Sequence, residues 1–535
     1  MRVLYVTSEV FPLVKTGGLA DVSAALPAAL NERNVDTRLL LPGYRQAISR
    51  AVGLQEVARL GDLIGCGETR LLAGRLPNSG VPIWLVECPA LYNRAGGAYQ
   101  DEGGNEWHDN ALRFALLNHV AARIADGLND DFWRPNIVHA HDWHAALVPL
   151  LMATRPRPQP ATVLTVHNLA YQGMFQTEQF DRLGLDHPQA HAVLEFYGRL
   201  SFLKAGLAVA DALTTVSPTY ANEILTPEYG CGLDGLLRER AHCLTGIMNG
   251  VDYRVWDPAH DQHLVCTYSA RRLSEKRACK IALQQDIALD PAPDIPLIAF
   301  NSRLAHQKMP DIVLEALPAL LAEDIQFALV AEGDVGYEAG FRDLAARYPG
   351  RVSVCIGYEE SRAHRLLAGA DILLHPSRYE PCGLAPIYAM RYGTLPIVRR
   401  SGGTADSVVD AIEQSVHCET ATGFAFESPS ADDLVACARR ALALYRQPIV
   451  WRKTQLCAMR QDFSWERPAQ AYVALYRALL ADSAAVELHA TEQATDEANR
   501  GSAAPRATTR RAIATASRWS AAPSAASPRK WAFAT

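Results

Sequence analysis

Short apolar runs alternate along this chain with segments of helical periodicity, and that alternation constrains the fold more than any other feature. Val3 to Thr7, Thr37 to Leu41, Val81 to Glu87, Ile137 to Ala140, Thr162 to His167 and Ala212 to Ser217 read as strands, with helical patterns between several of them. Alternation of this kind builds a parallel sheet covered by helices. Between Asn249-Gly250-Val251-Asp252 and Pro296 the pattern loosens into a helical connector rich in Arg and Lys. A second alternation then begins, with strands expected at Leu297 to Asn301, Phe327 to Ala331, Val352 to Ile356, Asp371 to His375 and Thr394 to Val398. At 535 residues the chain exceeds what one hydrophobic core serves. The expected architecture is therefore α/β, with two doubly wound Rossmann-like domains facing across a cleft that is the default ligand site. Residues 1–248 form the first domain and 249–464 the second, 465–482 a C-terminal helix packing back toward the first, and 483–535 a disordered tail of Ala, Ser, Thr and Arg with few apolar anchors.

Composition narrows the function. The formal net charge is -6 and no basic face emerges, which argues against a nucleic-acid partner. Eleven cysteines, odd in number and scattered without a C-x-x-C pair, indicate neither a disulfide framework nor a zinc ribbon, and fit a reducing cytoplasm. At the N-terminus the short apolar run meets Ser8 and Glu9 at once, unlike a secretory segment, and no run approaches membrane-spanning length.

Residues able to carry chemistry gather at the carboxyl ends of the expected strands. In the stretch from Ala370 to Gly393, Glu380 falls in a strand-to-helix loop, with Gly383 allowing close backbone approach and Pro386 suited to a first helical turn. Such a loop binds an anion or a sugar hydroxyl, or is an ordinary turn with a solvated glutamate. Lys15-Thr16-Gly17-Gly18 offers backbone amides and one ammonium beside a helix start, a way to meet phosphate oxygens. Its spacing is not the dinucleotide pattern, which disfavours a nicotinamide enzyme. Arg303 and Lys308 follow the first strand of the second half, two cations within reach of one diphosphate or two solvated surface charges. His139 and His141 share one face of a strand while Asp142 suits the N-cap of the next helix, an arrangement poor in the spacing a transition metal needs. His167 ends the following strand, where a lone histidine is more often structural, although a place facing Glu380 across the cleft would suit a hydroxyl ligand. Tyr99, Trp107 and Trp143 fit sugar binding or core packing equally.

Several longer motifs carry a resemblance. KTGGLADV at 15 to 22, HAHDWHAAL at 139 to 147, TVHNLAYQGMF at 165 to 175, VSPTYANEI at 216 to 224, GLDGLL at 232 to 237, NGVDYRVWDP at 249 to 258, SRLAHQK at 302 to 308 and EPCGL at 380 to 384 resemble the bacterial glycogen synthase and plant starch synthase family, in order from Met1 to about Leu480. The resemblance implies a GT-B glycosyltransferase that moves glucose from ADP-glucose to the non-reducing end of an α-1,4-glucan or glycogen, with retention and with no metal or other cofactor. It implies that Lys15 and the Gly17 and Gly18 amides contact the donor, with Asp21 supporting their loop. Arg303 and Lys308 would neutralise the leaving diphosphate, and His167 would touch the glucose 6-hydroxyl. Glu380, with the amides of Cys382 and Gly383, would hold the 3- and 4-hydroxyls. Tyr358 would lie by the adenine, and Asp142 and Asn249 nearer the acceptor.

The chain departs from the family pattern in three places. Met309 stands where the family usually has glycine, Ala331 replaces a second glycine, and Ala385-Pro386 replaces Thr-Gln. Side chains at the first two narrow a phosphate loop if the backbone there needs positive φ. A catalytically impaired glucan-binding scaffold is the alternative these substitutions favour. A phosphorylase would require a pyridoxal phosphate lysine in a setting the sequence does not offer.

Overall fold

The computed structural model describes residues 1–128, 132–155, 159–357 and 359–482. The expected tail from 483 and the adenine-side Tyr358 lie outside the described residues. Two compact units emerge: Met1–Val216 with Ala221–Ile247 and the chain from Glu466, and Ser217–Tyr220 with Met248–Trp465. The short piece Ser217–Tyr220 goes with the second unit, where the amide and hydroxyl of Thr219 donate to Asp406 at 2.9 and 2.6 Å.

The first unit is built on β1 (Arg2–Val6), β2 (Asp36–Pro42), β3 (Val52–Gly61), β4 (Thr69–Arg75), β5 (Pro82–Glu87), β6 (Ile137–His141) and β7 (Ala161–Val166). A small antiparallel sheet of β8 (Met174–Phe175), β9 (Glu195–Phe196) and β10 (Arg199–Ser201) intervenes before β11 (Ala212–Thr215) and β12 (Leu244–Gly246) rejoin the main sheet. Strand order is β12-β11-β7-β6-β1-β2-β5-β4-β3. The central strands are parallel and buried on both faces, which is why they read as unbroken apolar runs. At one edge β3 and β4 turn antiparallel, and β3 is largely exposed, with three register shifts that interrupt its alternation. This hairpin extension is absent from the sequence reading.

The second unit has a single parallel sheet of β13 (Leu297–Asn301), β14 (Gln326–Ala331), β15 (Val352–Ile356), β16 (Ile372–His375), β17 (Leu395–Arg399) and β18 (Phe424–Phe426), in the order β15-β14-β13-β16-β17-β18. The connector lysines are buried posts. Lys280 Nζ donates to Asp371 at 2.6 Å, and Lys276 Nζ caps the end of the helix Glu360–Gly369 through Leu367 O and Ala368 O. Burial pushes the Lys276 ammonium down to about 7.

Both sheets reverse direction once. In the first unit the chain builds outward from β1 through β2 and β5, then returns to start β6 on the other side of β1. In the second, the parallel strands are added outward from β13 through β14 to β15, and then from β16 through β17 to β18 on the other side of β13. Connections diverge at these two switch points and leave crevices at the strand carboxyl ends, where ligands bind in open α/β sheets. The helix at 466–482 belongs to the first unit, with Tyr472 and Tyr476 buried. The Tyr476 hydroxyl hydrogen-bonds His139 Nδ1 at 2.7 Å. No helix among the described residues is long and apolar enough to cross a membrane.

Candidate active site

At the switch point of the first unit, the loop after β1 carries Lys15 and Gly17, the helix that follows it begins with Gly18 and holds Asp21 in its first turn, and Asp142 and His167 follow β6 and β7. Lys15 Nζ pairs with Asp21 at 2.9 Å. Gly17 is the N-cap of the helix Gly18–Asn31, and a Cβ built on it would meet nothing within 4 Å. Its amide donates to Glu9 at 3.1 Å, and the Thr16 amide donates to the same carboxylate oxygen. Gly17 N–H is therefore engaged internally, a difference from its expected contact with the donor.

Asp142 departs from the N-cap expected of it. It is the first residue of the helix Asp142–Ala145, at φ 54, and its carboxyl turns over the end of β7 to accept the His167 amide at 2.7 Å. A left-handed conformation in a non-glycine residue is held only where the surroundings over-determine it. Burial pushes the Asp142 carboxyl up to about 7, opposed by the amides of His167 and Asn168.

His139 and His141 are buried, and the part-buried His167 joins them in a polar seam. His139 sits between Tyr476 and Thr165, and His141 Nδ1 meets His167 Nε2 at 3.0 Å while its ring stacks on Tyr5. Burial pushes His139 and His167 down to about 3, so both rings are neutral near pH 7. Tyr99 is part of the polar network, its hydroxyl donating to Glu9 and bonding Ser8 at 2.8 Å.

At the switch point of the second unit, Arg303 and Lys308 follow β13, and Glu380, Cys382 and Gly383 follow β16. Arg303 is exposed. Lys308 Nζ donates to Glu380 Oε2, which also accepts from His375 Nε2 at 2.9 Å and Ser377 Oγ at 2.8 Å. Burial alone would raise the Glu380 carboxyl, but the Lys308 ammonium and His375 hold it well below the usual carboxylate range. The result is a buried, fully ionised carboxylate. Cys382 is buried against Met248, Sγ to Sδ 3.8 Å, and hydrogen-bonded with Asn249. Burial pushes its thiol up to about 12. Asn249 is 4% exposed, and its Oδ1 has no partner among the described residues, a buried acceptor suited to a ligand.

Two of the three departures resolve locally. Met309 lies at φ 54, ψ 42, the left-handed conformation glycine adopts without cost, whereas Ala331 ends β14 with no positive φ. Pro386 falls in the first turn of the helix Leu384–Arg391, buried. Gly383, at φ 81, is the N-cap of that helix, and a Cβ there would lie 2.9 Å from Thr404. Sequence reasoning missed Glu9, His375, Ser377 and the Ser401-Gly402-Gly403-Thr404 turn after β17. That last turn packs on the glutamate loop, with Gly403 N–H donating to Glu380 O at 2.9 Å. The pair of glycines was its one legible signal.

Two doubly wound sheets in one chain, each presenting charged and polar side chains at its switch point, are the architecture of the GT-B glycosyltransferase fold. A family model described as the starch synthase catalytic domain matches residues 2–239, and one described as glycosyl transferases group 1 matches residues 285–454. A glycogen synthase of Burkholderia thailandensis is 52% identical over 481 residues, covering 89% of this chain and 90% of that protein. One of Paramagnetospirillum magneticum is 50% identical, covering 90% of this chain and 98% of that protein. Among solved structures, the catalytic domain of starch synthase IV from Arabidopsis thaliana, bound to ADP and acarbose, superposes with a TM-score of 0.81 at 28% identity, covering 90% of this chain and 99% of that one. The chain belongs to the bacterial glycogen synthase and plant starch synthase family. Its activity is glycogen synthesis, the transfer of glucose from a nucleotide sugar to a glucan.

Proposed function

We propose that the donor is ADP-glucose and that glucose passes to the non-reducing end of an α-1,4-glucan with its anomeric configuration retained. The ionised Glu380, held at the β13/β16 switch point by Lys308, His375 and Ser377, carries this reading. A buried carboxylate with further acceptor capacity suits the hydroxyls of one sugar. Ammonium and guanidinium groups following the adjacent strand meet the charge that develops on a departing diphosphate. In this assignment Arg303 and Lys308 stabilise the leaving group, and Glu380 with the Cys382 and Gly383 amides orients the glucose. Lys15 and Gly18 contribute to the donor from the first unit, with Asp21 steadying Lys15. His167, neutral at pH 7, hydrogen-bonds the glucose 6-hydroxyl, while Asp142 and Asn249 serve nearer the acceptor.

Retention follows from attack on the face the diphosphate leaves, with a leaving phosphate oxygen taking the acceptor's proton. Trapping a covalent glucosyl-enzyme at any side chain would overturn that step. A cytoplasmic location fits the eleven free cysteines. Every member of the proposed charged set is present, so the substitutions at 309, 331, 385 and 386 are read as tuning, and the impaired scaffold gains no support from the relatives. The test is the linkage formed: label transferred from ADP-[14C]glucose should be released completely by an exo-hydrolase specific for α-1,4 bonds. Label resistant to that enzyme would refute the proposed product.

A further inference from the structure

Glu9 follows β1 by three residues and is 4% exposed. Burying a carboxylate is costly unless its oxygens are met by donors, and here three converge. One oxygen accepts the Thr16 and Gly17 amides; the other accepts the Tyr99 hydroxyl, itself bonded to Ser8. The two amides lie between Lys15 and the first residue of the helix Gly18–Asn31, whose N-cap, Gly17, has no side chain to close it. Glu9 supplies that closure from the loop that follows β1. The Lys15–Asp21 pair joins two side chains, and the Val10–Val14 amide pair ties the backbone only up to the residue before Lys15, which leaves the segment after it to be fixed. A carboxylate gripping the next two amides determines it.

We propose that Glu9 is a positioning residue for the donor: by holding the Thr16 and Gly17 amides it fixes the backbone from which Lys15 reaches the diphosphate and leaves the Gly18 side of the loop open to the ligand. The inference rests on the assignment of Lys15 to the donor. Its chemistry is geometric, and no bond to substrate is made by Glu9 itself. An ionised carboxylate holds the two amides by charge-assisted hydrogen bonds, and a glutamine, which can offer them only a neutral carbonyl oxygen, grips them more weakly.

The experiment compares Glu9→Gln, Tyr99→Phe, Lys15→Ala and the Glu9→Gln/Lys15→Ala double variant in the full chain, measuring kcat and KM for ADP-glucose and for glycogen separately, with melting temperature alongside. Glu9→Gln is expected to raise the ADP-glucose KM by about tenfold or more while the glycogen KM stays within about twofold. Tyr99→Phe, which keeps the carboxylate on the amides, should shift the same constant in the same direction by about threefold. The double variant should match Lys15→Ala, because Glu9 acts through that residue. If Glu9→Gln fails to fold, Tyr99→Phe carries the same test. Equal losses for both substrates, or a Glu9→Gln effect undiminished on the Lys15→Ala background, would overturn the proposal. A Lys15→Ala enzyme with an unchanged ADP-glucose KM would remove the Lys15 assignment and the proposal with it. An effect of Lys15→Ala without one from Glu9→Gln or Tyr99→Phe would overturn the role of Glu9 alone.

Discussion

Met309 is fully buried in the core of the second unit yet holds a left-handed backbone, φ 54 and ψ 42, at the N-cap of the helix Pro310–Leu321. The two facts pull in opposite directions when the residue is shortened. Truncating a buried methionine to alanine costs about 2–5 kcal/mol through lost burial and the cavity left behind. The left-handed conformation costs a residue with a Cβ about 1–2 kcal/mol, which alanine retains and glycine sheds. Glycine in turn forfeits about 0.5–1 kcal/mol to the freedom of its unfolded chain. Alanine also keeps a buried methyl worth about 0.8 kcal/mol that glycine loses. Burial outweighs relief of strain, so both Met309→Gly and Met309→Ala are destabilised, but the strain that alanine retains offsets its other advantages and the two are expected to be about equally stable. Without strain alanine would lead by about 1.5 kcal/mol, which in a unit of this size is about 4 °C, within reach of differential scanning calorimetry on the second unit's transition. Alanine melting above glycine by about 3 °C or more would refute the argument that the backbone at 309 is strained.

Glu380→Gln should lower melting temperature, because it leaves the Lys308 ammonium without its charge partner at a cost of about 3–5 kcal/mol, and should reduce kcat about a hundredfold or more. A Lys308→Met/Glu380→Gln double variant is expected to be more stable than Glu380→Gln, and equal stability would contradict the pairing. Acid should destabilise the first unit. His139 and His167 hold folded values of about 3 against an ordinary 6.5, so the stability they contribute is complete above pH 6.5 and lost as pH falls toward 3. By pH 5 each is expected to remove about 2 kcal/mol, and a melting temperature flat between pH 8 and 5 would contradict their burial as neutral rings. Gly403→Ala would place a Cβ 2.1 Å from Cys382 O and 2.5 Å from Cys382 Cα, so the glutamate loop must move. Its kcat/KM for ADP-glucose should fall more than about tenfold, whereas unchanged kinetics would mean the loop yields freely.

Much of this architecture was legible because the central strands are buried on both faces, and unbroken apolar runs between helical segments leave few alternatives. The β3–β4 hairpin was not, since its exposed, shifted strands carry neither a continuous apolar run nor clean alternation. The two- and three-residue strands β8, β9 and β10 are too short for any period to show. Among the candidate site residues, Lys15, Asp21, Asp142, His167, Lys308 and Glu380 stand out in the sequence through motif and position at strand ends. Their partners could not. Lys308 and Glu380 are 72 residues apart in sequence, and only the adjacency of β13 and β16 joins them. Asp142 looked like a cap because its own helix follows, and only the neighbouring strand reveals the amide it accepts instead. Glu9 belongs to no motif of its own, and its burial depends on the Thr16 and Gly17 amides seven and eight residues on. The glycine replaced by Met309 correctly signalled a positive φ, and the one replaced by Ala331 did not, because a strand end needs none.

The most direct measurement is incorporation of labelled glucose into glycogen by the purified protein, with ADP-glucose and UDP-glucose compared side by side and no metal added. The account expects rapid transfer from ADP-glucose and little from UDP-glucose. Equal or faster transfer from UDP-glucose would contradict the proposed donor, and no transfer from either while glycogen still binds would contradict the catalytic assignment itself.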